Sequence, residues 1–133
     1  MKVVLKTALV ALPLLLSACA SHPQAKAKAK AKPIPWNQYV TRQSVDVMNP
    51  DFSNFRIVGT DRVVLWDSPR EAYLVTTAGG CFFDNSNPVL GFTNRDQMFN
   101  PLTDTIIYDH QRCPVVKIDQ LNTELLKADG VFK

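Results

Sequence analysis

A chain of 133 residues, 46% of them hydrophobic and 20% charged, has room for one modest core and not for several domains. Its fifteen basic and twelve acidic residues leave a net charge of +3, but that excess sits entirely in the first 35 residues. From residue 36 onward nine basic residues face twelve acidic ones, a net of −3, which speaks against nucleic-acid binding by the folded part.

The N-terminal residues have the three zones of an export signal. Lys2 and Lys6 supply a short positive region, and residues 7–16 form a charge-free apolar run interrupted only by Pro13. That run is about ten residues, whereas a helix crossing a bilayer needs roughly twenty, so a cleaved signal is expected and not a permanent span. The following Leu16-Ser17-Ala18-Cys19 resembles the lipobox of bacterial lipoproteins. The resemblance implies that the Cys19 thiol is diacylated, that residues 1–18 are removed, and that the new amine is often acylated as well. The chemistry suits the residue types: a thiolate accepts the lipid, and small neighbours let a membrane-embedded peptidase reach the bond. The alternative is a plain secretory signal in which Cys19 only happens to lie near the cut. Acyl burial contributes about 0.8 kcal/mol per CH₂, so one chain binds marginally while two or three make release negligible. The lipid bilayer, reached through Cys19, is thus one expected partner. Ala20 stands where an Asp favours inner-membrane retention in similar Gram-negative lipoproteins, which points to the periplasmic face of the outer membrane.

Residues 20–35 are low in complexity. Lys26, Lys28, Lys30 and Lys32 alternate with alanines between Pro23 and the pair Pro33 and Pro35. Ala and Lys are poor strand formers, and eight residues are too few for a stable isolated helix. Like charges extend the chain, so residues 19–35 are expected to be a lipidated, solvated tether. Sixteen extended residues reach roughly 55 Å. The lysines either contact anionic headgroups or cell-wall polymer, at about 1 kcal/mol each near a charged surface, or simply keep the tether soluble.

Residues 36–133 are expected to form a single small domain, mainly β: a small antiparallel sheet or barrel-like roll with one C-terminal helix, with α+β as the alternative. Residues 37–51 show no period and read as irregular. Residues 55–59 read as a short strand ending at Gly59, and residues 62–66 and 71–76 are rich in β-branched and aromatic side chains. Between the latter two, Asp67-Ser68-Pro69-Arg70 is a good turn and predicts a hairpin. Gly79-Gly80 breaks the chain before Cys81-Phe82-Phe83, and residues 84–88 read as a polar loop. Strands are expected at 89–93, 105–108 and 115–118, with residues 94–104 a long loop or bent edge. Leu121, Leu125 and Leu126 lie at helical spacing within 119–127, and Asp129-Gly130 can end that helix. Trp66, Tyr73, Phe82, Phe83, Phe92, Phe99 and Tyr108 read as core.

Setting Cys19 aside leaves Cys81 and Cys113, which in an oxidising compartment are expected to pair. Closing a loop of that length stabilises by about 3–4 kcal/mol on the chain-entropy account. The alternative, a metal-binding or catalytic thiol pair, has few partners to draw on. There is no Cys-x-x-Cys, His110 is the lone domain histidine, His22 lies in the tether, and nothing marks a fourth ligand. Glycine-rich phosphate loops and Gly-x-Ser-x-Gly are absent from the sequence, and Asp104 and Asp109 read as strand-end or turn residues. The oxygen-rich Asp84-Asn85-Ser86-Asn87 lacks the acidic spacing of a calcium loop. No catalytic residue, metal site or cofactor is therefore assigned.

The runs Arg62-Val63-Val64-Leu65-Trp66 and Ala72-Tyr73-Leu74-Val75-Thr76, then Cys81, then Gln111-Arg112-Cys113-Pro114-Val115, resemble a family of small proteobacterial lipoproteins that carry a domain of unknown function. The resemblance spans residues 54–118, about half the chain, and implies export and paired cysteines without an activity. The leading expectation is a non-catalytic envelope module that binds another envelope protein or a cell-wall component. The alternatives are a small periplasmic hydrolase or thiol enzyme assembled only in the fold, and an inhibitor or immunity-type protein.

Overall fold

In the computed structural model, which describes residues 32–132, the elements run as a 3₁₀ turn (Trp36–Tyr39), β1 (Val40–Arg42), β2 (Val47–Met48), β3 (Asn54–Ile57), β4 (Arg62–Ser68), β5 (Glu71–Thr77), β6 (Leu90–Phe92), β7 (Met98–Phe99), β8 (Thr105–Tyr108), β9 (Gln111–Leu121) and α1 (Thr123–Ala128). The expected signal, residues 1–18, and residues 19–31 of the expected tether lie outside the described residues; of its last four residues, 32–35, Ile34 packs against the cluster around Trp36 and Tyr39 and so belongs with the folded part. The fold is mainly β, as the sequence predicts: a nearly closed antiparallel sheet in the order β3-β4-β5-β9-β8-β6, with β1 on β9 and one short helix at the C-terminal end.

The expected hairpin is β4–β5, paired from Arg62↔Thr76 to Ser68↔Glu71. Val63, Leu65, Tyr73 and Val75 point into the roll, where they pack with Ile106, Tyr108, Cys113, Val115 and Ile118. Val64, Ala72 and Leu74 point outward, yet they too are buried, because Trp36, Tyr39 and Leu126 cover that face. Burial on both faces accounts for the unbroken apolar runs in these two strands, where a half-exposed strand would alternate. The 3₁₀ turn is held over this face by Tyr39, whose hydroxyl donates to Asp129 Oδ2 at 2.9 Å just beyond the helix.

β9 is longer than the short strand predicted at 115–118. Its first half pairs with β8 through a two-residue turn in which Asp109 and His110 both have positive φ, 46° and 63°, the conformation that matches strand twist. Its second half pairs with β5 on one edge and β1 on the other, so that Leu121 faces both Ala72 and Val40. Pro114 lies within the strand without leaving a gap. Its carbonyl accepts from Ala78 N, so its missing donor faces the end of β5.

A bulge decides which side chains of β9 enter the core. Thr77 pairs with Val115 but Thr76 pairs with Lys117, so Val116 is an extra residue and is 41% exposed. One inserted residue reverses the facing of everything after it. Val115 and Ile118, three apart, therefore both point inward, and both are fully buried.

Several expectations are revised. The predicted helix over 119–127 begins only at Thr123, because ladder bonds to β5 and β1 hold residues 119–121 as strand. Asn122 caps it by accepting from Leu125 N at 2.9 Å, and Leu126 is buried while Leu125 is exposed. The stretch 37–51, read as irregular, contains the 3₁₀ turn, β1 and β2. Within 94–104, β7 pairs with β2, and this ribbon delivers Val47 and Phe99 to the core. Asp104 organises that loop as a buried carboxylate, accepting from Thr93 Oγ1 and Asn100 N, each at 2.9 Å. Phe82, expected in the core, is exposed, while its neighbour Phe83 is buried.

Cys81 and Cys113 form a disulfide with Cα atoms 5.7 Å apart. It fastens the segment after β5 to the start of β9, and Phe83 packs edge-on against Tyr108 beside it, with centroids 5.4 Å apart. Replacing both cysteines by alanine should lower unfolding free energy by about 3–4 kcal/mol, since the bridge closes a long loop. Urea titration checks this; an unchanged midpoint would show that the bridge does not constrain the unfolded chain.

Candidate functional site

The two ends of the roll differ chemically. At the end where β5 finishes, the interior is shut by the disulfide and by Phe83, whose amide donates to Thr60 O at 3.0 Å. At the other end the inward-facing positions turn polar: β4 passes from Leu65 to Asp67, β5 begins at Glu71 before Tyr73, and β9 passes from Ile118 to Gln120. Residues 42–46 flank this end and complete a groove of about 630 Å³. That volume falls in the range of small-molecule sites, which often occupy barrel mouths.

Arg42, Asp46, Asp67 and Glu71 line the groove, with Tyr73 and Gln120 among its other walls. Asp46 Oδ1 accepts from Asn100 Nδ2 and Asp67 Oδ1 accepts from Asp51 N, each at 2.6 Å, so one oxygen of each carboxylate is engaged within the protein. Tyr73 is 8% exposed. Its ring stands edge-on to Phe52 with centroids 6.3 Å apart, and the residue forms part of the groove wall. Burial pushes the Tyr73 phenol above its ordinary value, Glu71 and Asp67 add to this, and Arg42 opposes it. The phenol therefore stays neutral and able to donate well into alkaline solution.

A second, more apolar cleft of about 260 Å³ lies at the seam between the edge strands β3 and β6, lined among others by Phe52, Phe55, Leu90 and Phe92. Asn54 Oδ1 accepts from Phe55 N at 2.8 Å. A side chain thus occupies a backbone donor of β3, one of the ways an edge strand is kept from pairing with another chain.

The residues singled out in the sequence do not meet in one site. Cys19 lies outside the described residues, and the two remaining cysteines are bonded to each other at the closed end. His110 is on the exposed tip of the β8–β9 turn, so among the described residues no imidazole lies beside a free thiol. Among the described residues no three His, Cys, Asp or Glu side chains are grouped to hold a metal ion, and no helix is long and apolar enough to cross a membrane. The segment Asp84–Asn87 is closed on itself: Asp84 Oδ1 accepts from Ser86 N, Ser86 Oγ and Tyr108 Oη. Those bonds, from Ser86 first, hold its carboxyl below the ordinary value.

The groove itself was not read from the sequence. Its signal is the period-2 phase of β5, in which Glu71 shares a face with Tyr73 and Val75, but that phase means nothing until closure of the sheet makes it the interior. Fold and site together define a small disulfide-closed β-roll with one polar mouth. The chain belongs to a family of unknown function, DUF6491, which it matches over residues 1–131. No curated protein and no solved structure matches it.

Burial raises the Tyr39 phenol as well, with its bond to Asp129 adding to the effect. The folded chain thus keeps two protons that the unfolded chain releases near pH ~10. Their contribution to stability is complete below that pH and is lost as pH rises through the folded values. Stability should therefore fall above pH ~10, and Tyr73→Phe should flatten part of that fall in denaturant titrations. A slope unchanged by the substitution would show that Tyr73 ionises as freely in the folded state as in the unfolded one.

Proposed function

We propose that this chain is an exported lipoprotein, acylated at Cys19 and anchored in the cell envelope, whose β-roll is a binding or accessory module and not a catalyst. The observation that carries the reading is the ordered series at the N-terminus: basic residues, a charge-free run of about ten, Leu16-Ser17-Ala18-Cys19, and then an Ala/Lys/Pro tether. The Cys81–Cys113 bridge supports it independently, since such bridges persist in oxidising compartments. The non-catalytic part rests on chemistry. The cysteines are spent on each other, His110 stands alone at a turn, and the open groove offers charge and hydrogen bonding without a nucleophile paired to a base. The periplasmic face of the outer membrane is the proposed location, because Ala20 and not Asp follows the acylated cysteine. The tether would let the domain stand off the bilayer by up to roughly 55 Å and meet an envelope protein or cell-wall component.

Metabolic labelling with a clickable palmitate analogue in a Gram-negative host tests the anchor. The intact chain should take up the label and sediment with outer membranes, whereas Cys19→Ala should lose the label. A Cys19→Ala chain labelled as strongly as the original, or an unlabelled original in the cytosol with reduced Cys81 and Cys113, would sink the reading.

A further inference from the structure

The groove at the open mouth holds opposite charges that do not neutralise one another. The ion pairs among the described residues are Arg62–Asp61, Lys117–Asp119 and Lys127–Glu124. None involves Arg42, Asp46, Asp67 or Glu71, although all four line the same groove. A plain cation would meet the uncompensated guanidinium, and a plain anion would meet three carboxylates. A ligand carrying both signs satisfies both ends, with the guanidinium gripping a carboxylate through its planar fork.

Tyr73 is the second, independent observation. As a residue it is more than nine-tenths buried and lines the groove, while its hydroxyl is bonded to no group among the described residues and is left to solvent. A hydroxyl satisfied only by water can exchange that water for a ligand group. The side chain is positioned by its ring, which the core holds against Phe52, so the residue is held at a fixed place in the groove wall opposite Gln120.

We propose that this mouth binds an amino-acid-type zwitterion, with its carboxylate on Arg42, its ammonium on Glu71 and Asp67, and a hydrogen bond to the Tyr73 hydroxyl. This deepens the reading of the domain as a binding module by naming the ligand's chemistry, and it does not depend on the anchor. Free amino acids and the two ends of a short peptide share that chemistry.

The test is an NMR titration of the full-length chain in detergent micelles with alanine, Ala-Ala, N-acetyl-Ala-Ala and Ala-Ala amide. Alanine or Ala-Ala should shift the Tyr73 and Gln120 signals, and the tighter of the two identifies the source as a free amino acid or a peptide. Blocking either end of the dipeptide should weaken binding at least tenfold, roughly 1.4 kcal/mol. Arg42→Gln should abolish the preference for acid over amide, and Glu71→Gln the preference for free over acetylated amine. Both residues are exposed, so neither variant threatens the fold. Tyr73→Phe keeps the ring and should weaken binding about three- to tenfold. The proposal is overturned if neither free ligand shifts the groove by about 10 mM, a concentration weaker than any specific site needs. It is equally overturned if blocked and free dipeptides bind alike, or if the preferences survive both charge substitutions. An acyl-labelled chain that fails this test would keep its anchor and lose only the groove.

Discussion

Three strands of this fold, β1, β5 and β8, converge on β9. One edge of its second half carries β5, the other carries β1, and its first half carries β8. Neighbouring segments dock on the same strand. Val45 N donates to Ile118 O, Leu102 N to Val115 O, and Ala78 N to Pro114 O. Buried backbone groups must find partners, and β9 supplies them to strands drawn from both ends of the sequence. The Val116 bulge then sets which of its side chains enter the roll. Without the extra residue Ile118 would leave the core, and Gln120 would leave the mouth with it.

The same strand makes the two ends of the roll different. Near its start Cys113 is bonded to Cys81, and Phe83 and Tyr108 fill the space beside the bridge. Near its finish the inward position is Gln120, beside Tyr73 and Glu71. A closed apolar floor and an open polar rim make a cup, and both arise from the inward phase of adjacent strands. The apolar and polar ends are thus set apart along the strand axis, with Tyr73 belonging both to the core and to the groove wall. The two regions meet at Asn100, whose amide nitrogen donates to the buried Asp104 and whose side chain donates to Asp46 on the groove. A charge change at Arg42 or Glu71 can alter recognition without disturbing the core.

How much of this the residues disclose depends on where the information lies. The β4–β5 hairpin is legible because its strands are β-branched and aromatic and Pro69 sets the turn. The C-terminal helix is legible as an element, but not in its extent: Leu121 fits a helical period, and only its pairing with Ala72 and Val40 makes it strand. β1, β2 and β7 are two or three residues long, too short for a periodic signal, and they exist because β9 or one another supply partners. Pro114 conceals the early part of β9, since proline in a strand ordinarily argues against one. The cysteine pair is readable from the number of cysteines left once Cys19 is set aside and from the oxidising compartment that the N-terminal residues lead one to expect. The groove is not readable, because Arg42, Glu71 and Gln120 come from three strands whose registers depend on the bulge. Asn122 was a local signal of the helix start that spacing alone passed over.

Site-resolved amide hydrogen exchange on the folded chain tests the central role of β9 most directly. The amides linking β9 to β5 should exchange only through global unfolding and share one opening free energy. The edge strands β3 and β6 should open separately and at lower free energy. Exchange from β9 as fast as from β3 and β6, or protection centred on another strand, would contradict the account.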